Sequence, residues 1–414
     1  MRAVVIGGGL AGLIAARRYR DAGLDPVVLE ASDTLGGMIR SVTVGGVRVD
    51  GGAEAYATRS DSARALAGRL GLEVAGPAGR PHVWWSDAIV PLADGVLGIP
   101  GSLEDPALAV LTADERARLA LDLELGPEVG AEATTVGELV AARMGEGAVA
   151  KLVAPLAAGV YRTPPGALQL AVFAPRLKQE MAGHGSLLAA VAALRAPGAN
   201  AVEQPIGGMF RLIDSLAEGL TCQTSTPALA LRRDGDTFVV KTPTGELRGQ
   251  RVAVCVPAAV AARLLAGLGI AVPAAPTRPA HVALLTSTHP GLAGAPVGSG
   301  LLLGESDPAV SASALTHYSK KWPWVSGGEV LRLSYPEAPS VQRLVADASR
   351  LTGLNLAGTI TGHAVVRHEM PGKLEPGARE PLLAATAEAG VDILGAWLDG
   401  NGISPVIEAG GRIA

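Results

Sequence analysis

The sequence predicts an α/β fold: a Rossmann-like dinucleotide-binding domain interrupted by an inserted domain with a mixed sheet and a helical part. Three observations carry this. An apolar run at the amino end leads into a glycine fingerprint and a helical stretch. A strand, glycine turn and helix pattern returns near the carboxyl end. The chain has 414 residues, too many for one simple domain.

The elements follow in order. Ala3-Val4-Val5-Ile6 is a short β-branched run, the signature of a buried parallel strand. It ends at Gly7-Gly8-Gly9-Leu10-Ala11-Gly12, and helical spacing then continues to about Arg20 and stops at Gly23. Val27-Val28-Leu29-Glu30 reads as a second strand. The result is a βαβ unit with G-x-G-x-x-G at Gly7, Gly9 and Gly12. Gly7 permits a tight turn, Gly9 lets the backbone approach a pyrophosphate, and Gly12 lets helix and strand pack closely. Leu10 and Ala11 open the helix, whose free N–H groups and positive dipole end face that phosphate. Glu30 lies 18 residues after Gly12, beside Ala31, where a carboxylate can accept from ribose hydroxyls and would repel a 2′-phosphate.

FAD and NAD share this fingerprint, so the next segment decides. Leu35-Gly36-Gly37-Met38-Ile39-Arg40 supplies a second glycine pair, followed by Asp50-Gly51-Gly52-Ala53-Glu54-Ala55. A simple NAD site has no use for a second glycine-lined pass. A flavin dinucleotide does, because its ribityl chain and ring extend beyond the pyrophosphate. FAD is therefore the expected cofactor.

Further along, Gly207-Gly208-Met209-Phe210 precedes a helix marked by Leu212, Leu216 and Leu220. Thr226–Leu231, Phe238–Val240 and Arg251–Pro257 read as antiparallel strands separated by turns at Asp234-Gly235-Asp236 and Thr244-Gly245, the last strand buried. Cys255 within it reads as a small buried hydrophobe. Residues 103–195 are Ala/Leu-rich with helical spacing, for example Val136, Leu139, Val140 and Met144 after a Thr134-Thr135 cap. Leu394-Gly395-Ala396-Trp397-Leu398-Asp399-Gly400-Asn401-Gly402-Ile403 then leads into a helical run from Pro405 to Ala409.

These motifs resemble the flavoprotein superfamily of amine oxidases, phytoene desaturases and porphyrinogen oxidases. The centre of the chain is similar to one branch. Pro155-Leu156-Ala157-Ala158-Gly159-Val160-Tyr161 resembles a P-L-x-x-G-V-Y segment, with Phe173-Ala174-Pro175-Arg176-Leu177 and His184-Gly185-Ser186-Leu187 at matching spacing. Pro91-Leu92-Ala93-Asp94-Gly95 and Gly98-Ile99-Pro100, then Lys321-Trp322-Pro323-Trp324, continue the likeness. The branch is the oxygen-dependent protoporphyrinogen/coproporphyrinogen III oxidase family. One stretch departs from it: Met370–Gly377 stands where relatives carry M-P-Q-Y-x-V-G-H.

The resemblance implies an FAD-binding domain of glutathione-reductase type from segments 1–80, 201–272 and 361–414. It implies a substrate domain with a mostly helical part at 81–200 and a sheet part at 273–360. Ala228 would lie near the adenine. Ala396, Gly400, Asn401, Gly402 and Ile403 would close the site around the flavin, as Gly36, Gly37, Met38, Gly52, Ala53, Glu54 and Ala55 do from the other side. The implied reaction is oxidation of coproporphyrinogen III, or of protoporphyrinogen IX, with oxygen as acceptor. Flavin N5 carries the chemistry, so no protein nucleophile, triad or metal is expected.

Several side chains stay two-sided at this stage. Lys320 and Lys321 either approach the flavin or a propionate, or form a solvated pair. Arg59 and Arg176 either hold propionates or are surface charges. Trp84, Trp85 and Tyr161 either line a slot for the macrocycle or pack in a core. His184 is read as a structural hydrogen-bonding residue. A net charge of −4 without like-charge blocks argues against nucleic-acid binding. Two cysteines in no metal or redox spacing fit a reducing, cytoplasmic setting. The resemblance leaves open a peripheral membrane contact through the helical part and a homodimer. The rival readings are an amine oxidase or desaturase, and a non-catalytic binding protein on the same fold.

Overall fold

Side-chain alternation along one short strand organises the amino-terminal part of the molecule. The computed structural model describes residues 1–413 apart from 87, 162, 196–201 and 373. In it Ala3–Ile6 lie within strand β1 (Arg2–Ile6), which leads through the glycine turn into helix α1 (Leu10–Asp21) and strand β2 (Asp25–Leu29). A small strand β3 (Tyr56–Ala57), helix α2 (Ser62–Arg69) and strand β4 (Val74–Ala75) follow. After a long excursion come β5 (Val202–Pro205), α3 (Phe210–Ala217), β6 (Thr221–Gln223), β7 (Arg251–Val254) and α4 (Ala258–Leu265). The last elements are β8 (Val391–Ile393) and α5 (Ile403–Ala409).

Five of these strands form a parallel sheet in the order β6-β2-β1-β7-β8. One face carries Ala3, Val5, Val28 and Ala253 against Leu13, Ala16 and Tyr19 of α1 and Val406 and Ala409 of α5. The other carries Val4, Ile6, Val27, Leu29, Val252 and Val254 against Ala261, Leu264 and Leu265 of α4. Both faces are covered, which is why these strands are apolar without alternation. Each buried Val, Leu or Ile contributes about 1.5–3 kcal/mol. Distant helices are tied by specific bonds: Arg17 donates to the carbonyls of Ser215, Leu216 and Glu218, closing the carboxyl end of α3.

The chain separates into two units, one of Met1–Gly76, Asn200–Val282 and Ala364–Ala414, the other of Pro77–Ala199 and Ala283–His363. The first holds the parallel sheet and an antiparallel three-strand ribbon, Ala230–Asp234, Thr237–Thr242 and Gly245–Gly249. Here the structure corrects two expectations. Thr226–Leu229 is not strand: the N–H of Thr226 donates to the Glu30 carbonyl, Pro227 has no N–H, and the Leu229 N–H makes the first bond to the ribbon, at the Lys241 carbonyl. Arg251–Val254 runs parallel to β1 rather than antiparallel, as a member of the main sheet.

The second unit has a helical part and a mixed sheet. Thr112 with Glu115, and Thr135 with Glu138, form reciprocal capping boxes at two helix starts. The helical core holds Leu119, Leu139, Val140, Val153, Leu177 and Leu187, all with essentially no exposure. Inside it Arg143 pairs with Asp122, both side chains fully buried. Asp122 also accepts the N–H of Leu187 and Leu188, and Arg143 donates to five backbone carbonyls. The pair is buried yet fully satisfied. In the sheet, Gly300–Leu303 lies parallel to His82–Trp84 and antiparallel to Ala314–His317, which pairs with Glu329–Tyr335. Among the described residues no helix is long and apolar enough to cross a membrane.

Candidate functional site

The glycine turn at the mouth of α1 is built by close backbone contacts. A Cβ on Gly12 would stand 1.8 Å from the Gly7 carbonyl oxygen, and one on Gly7 would stand 2.3 Å from that of Cys255. Gly7 also has φ +107, a region L side chains avoid. Gly9 differs: a Cβ there would meet nothing nearer than 3.9 Å, in Gly36 and Gly37. Backbone thus closes tightly behind the turn and leaves space in front of it. α1 has neither a side-chain cap nor an acid in its first turn, so its leading N–H groups retain capacity for an anion.

Glu30 holds this turn. Its Oε2 accepts the Gly8 N–H at 2.7 Å, and its Oε1 accepts the backbone N–H and hydroxyl of Ser32 at 2.8 Å. An ionised carboxylate has about four lone-pair sites, so a further donor can still be accepted. The second glycine pass runs alongside: Gly36 N–H donates to the Gly8 carbonyl, and Gly9 bridges Gly36 in parallel fashion. Gly37 is exposed and Met38 half-buried. Met38 in turn accepts from the Ala53 N–H, and a Cβ on Gly52 would come within 2.1 Å of the Met38 oxygen. One continuous backbone path therefore links residues 7–12, 36–38 and 51–53. Ala53, Glu54 and Ala55 are half-buried beyond it, and Ala31 is exposed.

The closing motif joins the same region. Cys255 N–H donates to the Ile6 carbonyl, and Leu394 N–H donates to that of Val254. Gly7 and Leu394 thus flank the same two residues. Trp397 Nε1 donates to the Val256 carbonyl at 2.9 Å. The Asp399 carboxylate, 1% exposed, pairs with Arg412 at 2.7 Å and Arg379 at 3.4 Å and accepts the Gly395 N–H. Gly400 and Gly402 have φ of +118 and +153, and α5 beyond them packs on α1 through Val406 and Ala409. Ala396 and Ile403 are half-buried, and Asn401 is exposed. Ala228 is buried in the sheet's second core. Burial pushes the Cys255 thiol well up, consistent with an inert side chain.

Sequence reasoning missed the residues that clamp this path together. Asp50, fully buried, accepts the N–H groups of Met209 and Phe210 at 3.1 Å each, so the turn before α3 is fixed to the start of the 51–55 segment. His368 Nε2 lies 2.7 Å from the Gly51 carbonyl, which can only accept, so Nε2 carries the hydrogen. His368 lies on the strand Ile360–Pro371, which ends inside the stretch that departs from the family pattern. Gly372 is pinned there to the Pro276 carbonyl at 2.7 Å; Lys373 lies outside the described residues. A histidine preceding Met370 was the only signal available in the sequence.

The remaining candidates fall in different settings. Arg59 is exposed. Arg176 pairs with Glu180, which also meets His184 at 3.5 Å. Trp84 is buried in its unit's core with the Arg350 guanidinium 5.7 Å from its ring. Trp85 is half-buried, and Tyr161 packs edge-on against Phe173 at 5.1 Å. Lys320 is bound to Glu329 at 2.7 Å within a cluster that includes Ser319 and the buried His317, and Lys321 lies over the Trp322 ring at 5.3 Å.

A parallel sheet covered on both faces, with a glycine turn at its first helix and a second glycine pass beside it, defines a dinucleotide-binding α/β protein. Comparison with known proteins carries this further. A family model for flavin containing amine oxidoreductase matches residues 10–282. The coproporphyrinogen III oxidase of Mycobacterium tuberculosis (strain H37Rv) is 30% identical, covering 99% of this chain and 95% of the relative. That of Mycobacterium leprae is 30% identical over 99% and 96%. Among solved structures, a candidate protoporphyrinogen oxidase from Exiguobacterium sp. 255-15 superposes with a TM-score of 0.78 at 22% identity, covering 99% of this chain and 96% of the other. A putrescine oxidase gives 0.62 at 13% identity, covering 100% and 98%. At these identities the two structures speak for the fold. The chain belongs to the flavin-containing amine oxidoreductases and, within them, to the coproporphyrinogen III oxidase family.

Proposed function

We propose that this protein is an FAD-dependent porphyrinogen oxidase that converts coproporphyrinogen III to coproporphyrin III with oxygen as acceptor, protoporphyrinogen IX being the alternative substrate. The observation that carries the reading is 30% identity across 99% of the chain to coproporphyrinogen III oxidases. The intact glycine cradle supports it, because the space in front of Gly9 and the uncapped start of α1 fit a diphosphate. The parallel sheet with an added antiparallel ribbon suits the glutathione-reductase type of FAD domain, and we assign the first unit to it. We assign the reaction to the cytoplasm, since two cysteines in no metal or redox spacing suit a reducing compartment.

When bound, FAD would accept hydride from the porphyrinogen and pass the electrons to oxygen, three times per macrocycle. The rest is done by this chain. Gly9, Leu10, Ala11 and Gly12 present backbone N–H groups to the diphosphate, with Gly8 shaping the turn, and Glu30, already fixed by Gly8 and Ser32, accepts a ribose hydroxyl. Gly36–Met38, Gly52–Ala55 and Ala396–Ile403 allow close backbone approach to the ring. Arg59 is exposed and makes no ion pair among the described residues, so it is the cation we assign to a substrate propionate. Arg176 and Lys320 are already matched by Glu180 and Glu329, which makes them weaker claimants.

The test is direct. Purified protein should be yellow with a flavin spectrum, and anaerobic coproporphyrinogen III should bleach it, with porphyrin fluorescence appearing as oxygen returns. A yellow protein that coproporphyrinogen and protoporphyrinogen both fail to bleach would overturn the substrate; a colourless one that takes up no FAD would overturn the class.

A further inference from the structure

Gln204 is fully buried, and neither Oε1 nor Nε2 of its side chain has a hydrogen-bond partner among the described residues. Burying a carboxamide with both ends unpaired is strongly unfavourable, and such groups are normally matched by a partner. The described residues do not supply one.

Its position says what could. Gln204 lies on β5, and β5 is held along the Asp50–Tyr56 segment from both ends. Beyond its carboxyl end, Met209 and Phe210 donate to Asp50. At its amino end, Glu203 stands opposite Tyr56 of β3. The Glu203 carboxylate accepts from the Tyr56 hydroxyl at 3.2 Å and from Arg64 at 2.7 and 3.0 Å. Successive side chains of a strand point to opposite faces, so Gln204 projects away from Tyr56 and Arg64. The segment between Asp50 and Tyr56 contains Gly52–Ala55, assigned above to the ring end of the cofactor.

We propose that the Gln204 carboxamide pairs with the pyrimidine edge of the flavin, Oε1 accepting from N3–H and Nε2 donating to an adjoining ring carbonyl. A carboxamide and a cyclic imide carry neighbouring donor and acceptor groups in matching order, so one ligand satisfies both orphaned atoms. A pyrrole N–H would satisfy only the oxygen, and a propionate only the nitrogen. The inference rests on the FAD reading and makes Gln204 a cofactor-binding residue.

The experiment uses the flavin-loaded protein without substrate. Gln204→Met keeps the length of the side chain and removes both polar atoms; FAD should bind about tenfold more weakly. Gln204→Glu replaces the donor by a second acceptor and adds a negative charge, so the N3–H of bound flavin should ionise at higher pH in an absorbance titration. FAD affinity and N3–H ionisation both unchanged in the two variants would overturn the pairing, leaving the amide to water or substrate. If neither variant folds, resonance Raman of the wild type in water and deuterium oxide decides: an N3–H band at the position of flavin with an unbonded N3–H overturns it. A wild type that takes up no FAD removes the underlying reading instead, whereas yellow variants indistinguishable from wild type remove only this inference.

Discussion

The Gly8 N–H and the Glu30 carboxylate meet at 2.7 Å across 22 residues of sequence. The acid at the end of the second strand therefore fixes the shape of the phosphate-binding turn while remaining in position for a ribose. Glu30→Gln offers one acceptor oxygen instead of two and cannot serve both Gly8 and Ser32. A hydrogen bond to a charged group contributes about 1.5–3 kcal/mol, so FAD affinity should fall about ten- to a hundredfold, read by fluorescence on release of the cofactor. Unaltered affinity would show that the turn holds its shape alone.

Gly12→Ala places a methyl group 1.8 Å from the Gly7 oxygen, a backbone atom that cannot move aside cheaply. The variant should lose bound flavin and about 1–3 kcal/mol of stability. Gly68, in α2, provides the contrast: an added Cβ meets nothing within 4 Å, so Gly68→Ala should gain about 0.5–1 kcal/mol and keep its flavin. Flavin-to-protein ratio and thermal midpoint of the two purified variants check both statements.

Arg143→Met leaves the Asp122 carboxylate buried without its cation. Breaking a buried pair from one side costs about 3–5 kcal/mol. Denaturant unfolding should show a large loss of stability, and the effect should be much smaller for Arg143→Met combined with Asp122→Leu. Equal losses in the single and double variants would refute the pairing as the cause.

Acid should weaken the second unit in two stages. Burial holds His317 below its ordinary value of 6.5, against the opposing pull of Glu329. Glu329 also lies below its ordinary 4.5: burial pushes it up, but hydrogen bonds from Lys320, Ser319 and His317 outweigh this. For both groups the folded state binds protons less readily than the unfolded state. The stability they contribute is complete above pH 6.5, declines below it as the unfolded chain takes up a proton at His317, and declines again below about 4.5 through Glu329. His317→Gln should flatten the first decline and leave the second, as followed by thermal unfolding across pH. A first decline equally steep in the variant assigns it to other groups.

What the sequence disclosed about this molecule follows the range of its interactions. Gly7, Gly9, Gly12 and Glu30 act on neighbours within one βαβ unit, so their pattern was readable. The Thr135 cap is local for the same reason. Asp50 with Met209, and His368 with Gly51, join positions 159 and 317 residues apart, and no periodicity marks such pairs. Thr226–Leu229 has the apolar content of a strand, yet the Thr226 amide is claimed by Glu30 and that of Ser225 just before it by Ser32, a competition invisible until those segments meet. Cationic candidates were legible as charges and not as sites, because Glu180 and Glu329, which engage Arg176 and Lys320, carry no motif of their own.

The strand order β6-β2-β1-β7-β8 has a consequence for biosynthesis. As the chain emerges from the ribosome, β1 and β2 appear almost at once, but β1 lacks its inner neighbour until residue 251 is out, and β7 stays an open edge until residue 391. For most of translation the nascent protein displays an apolar ribbon with unpaired amides and carbonyls, a template for wrong partners. Chaperone holding of the half-synthesised chain, or early capture of the cofactor by the first two strands, would shield that edge until its last neighbour arrives.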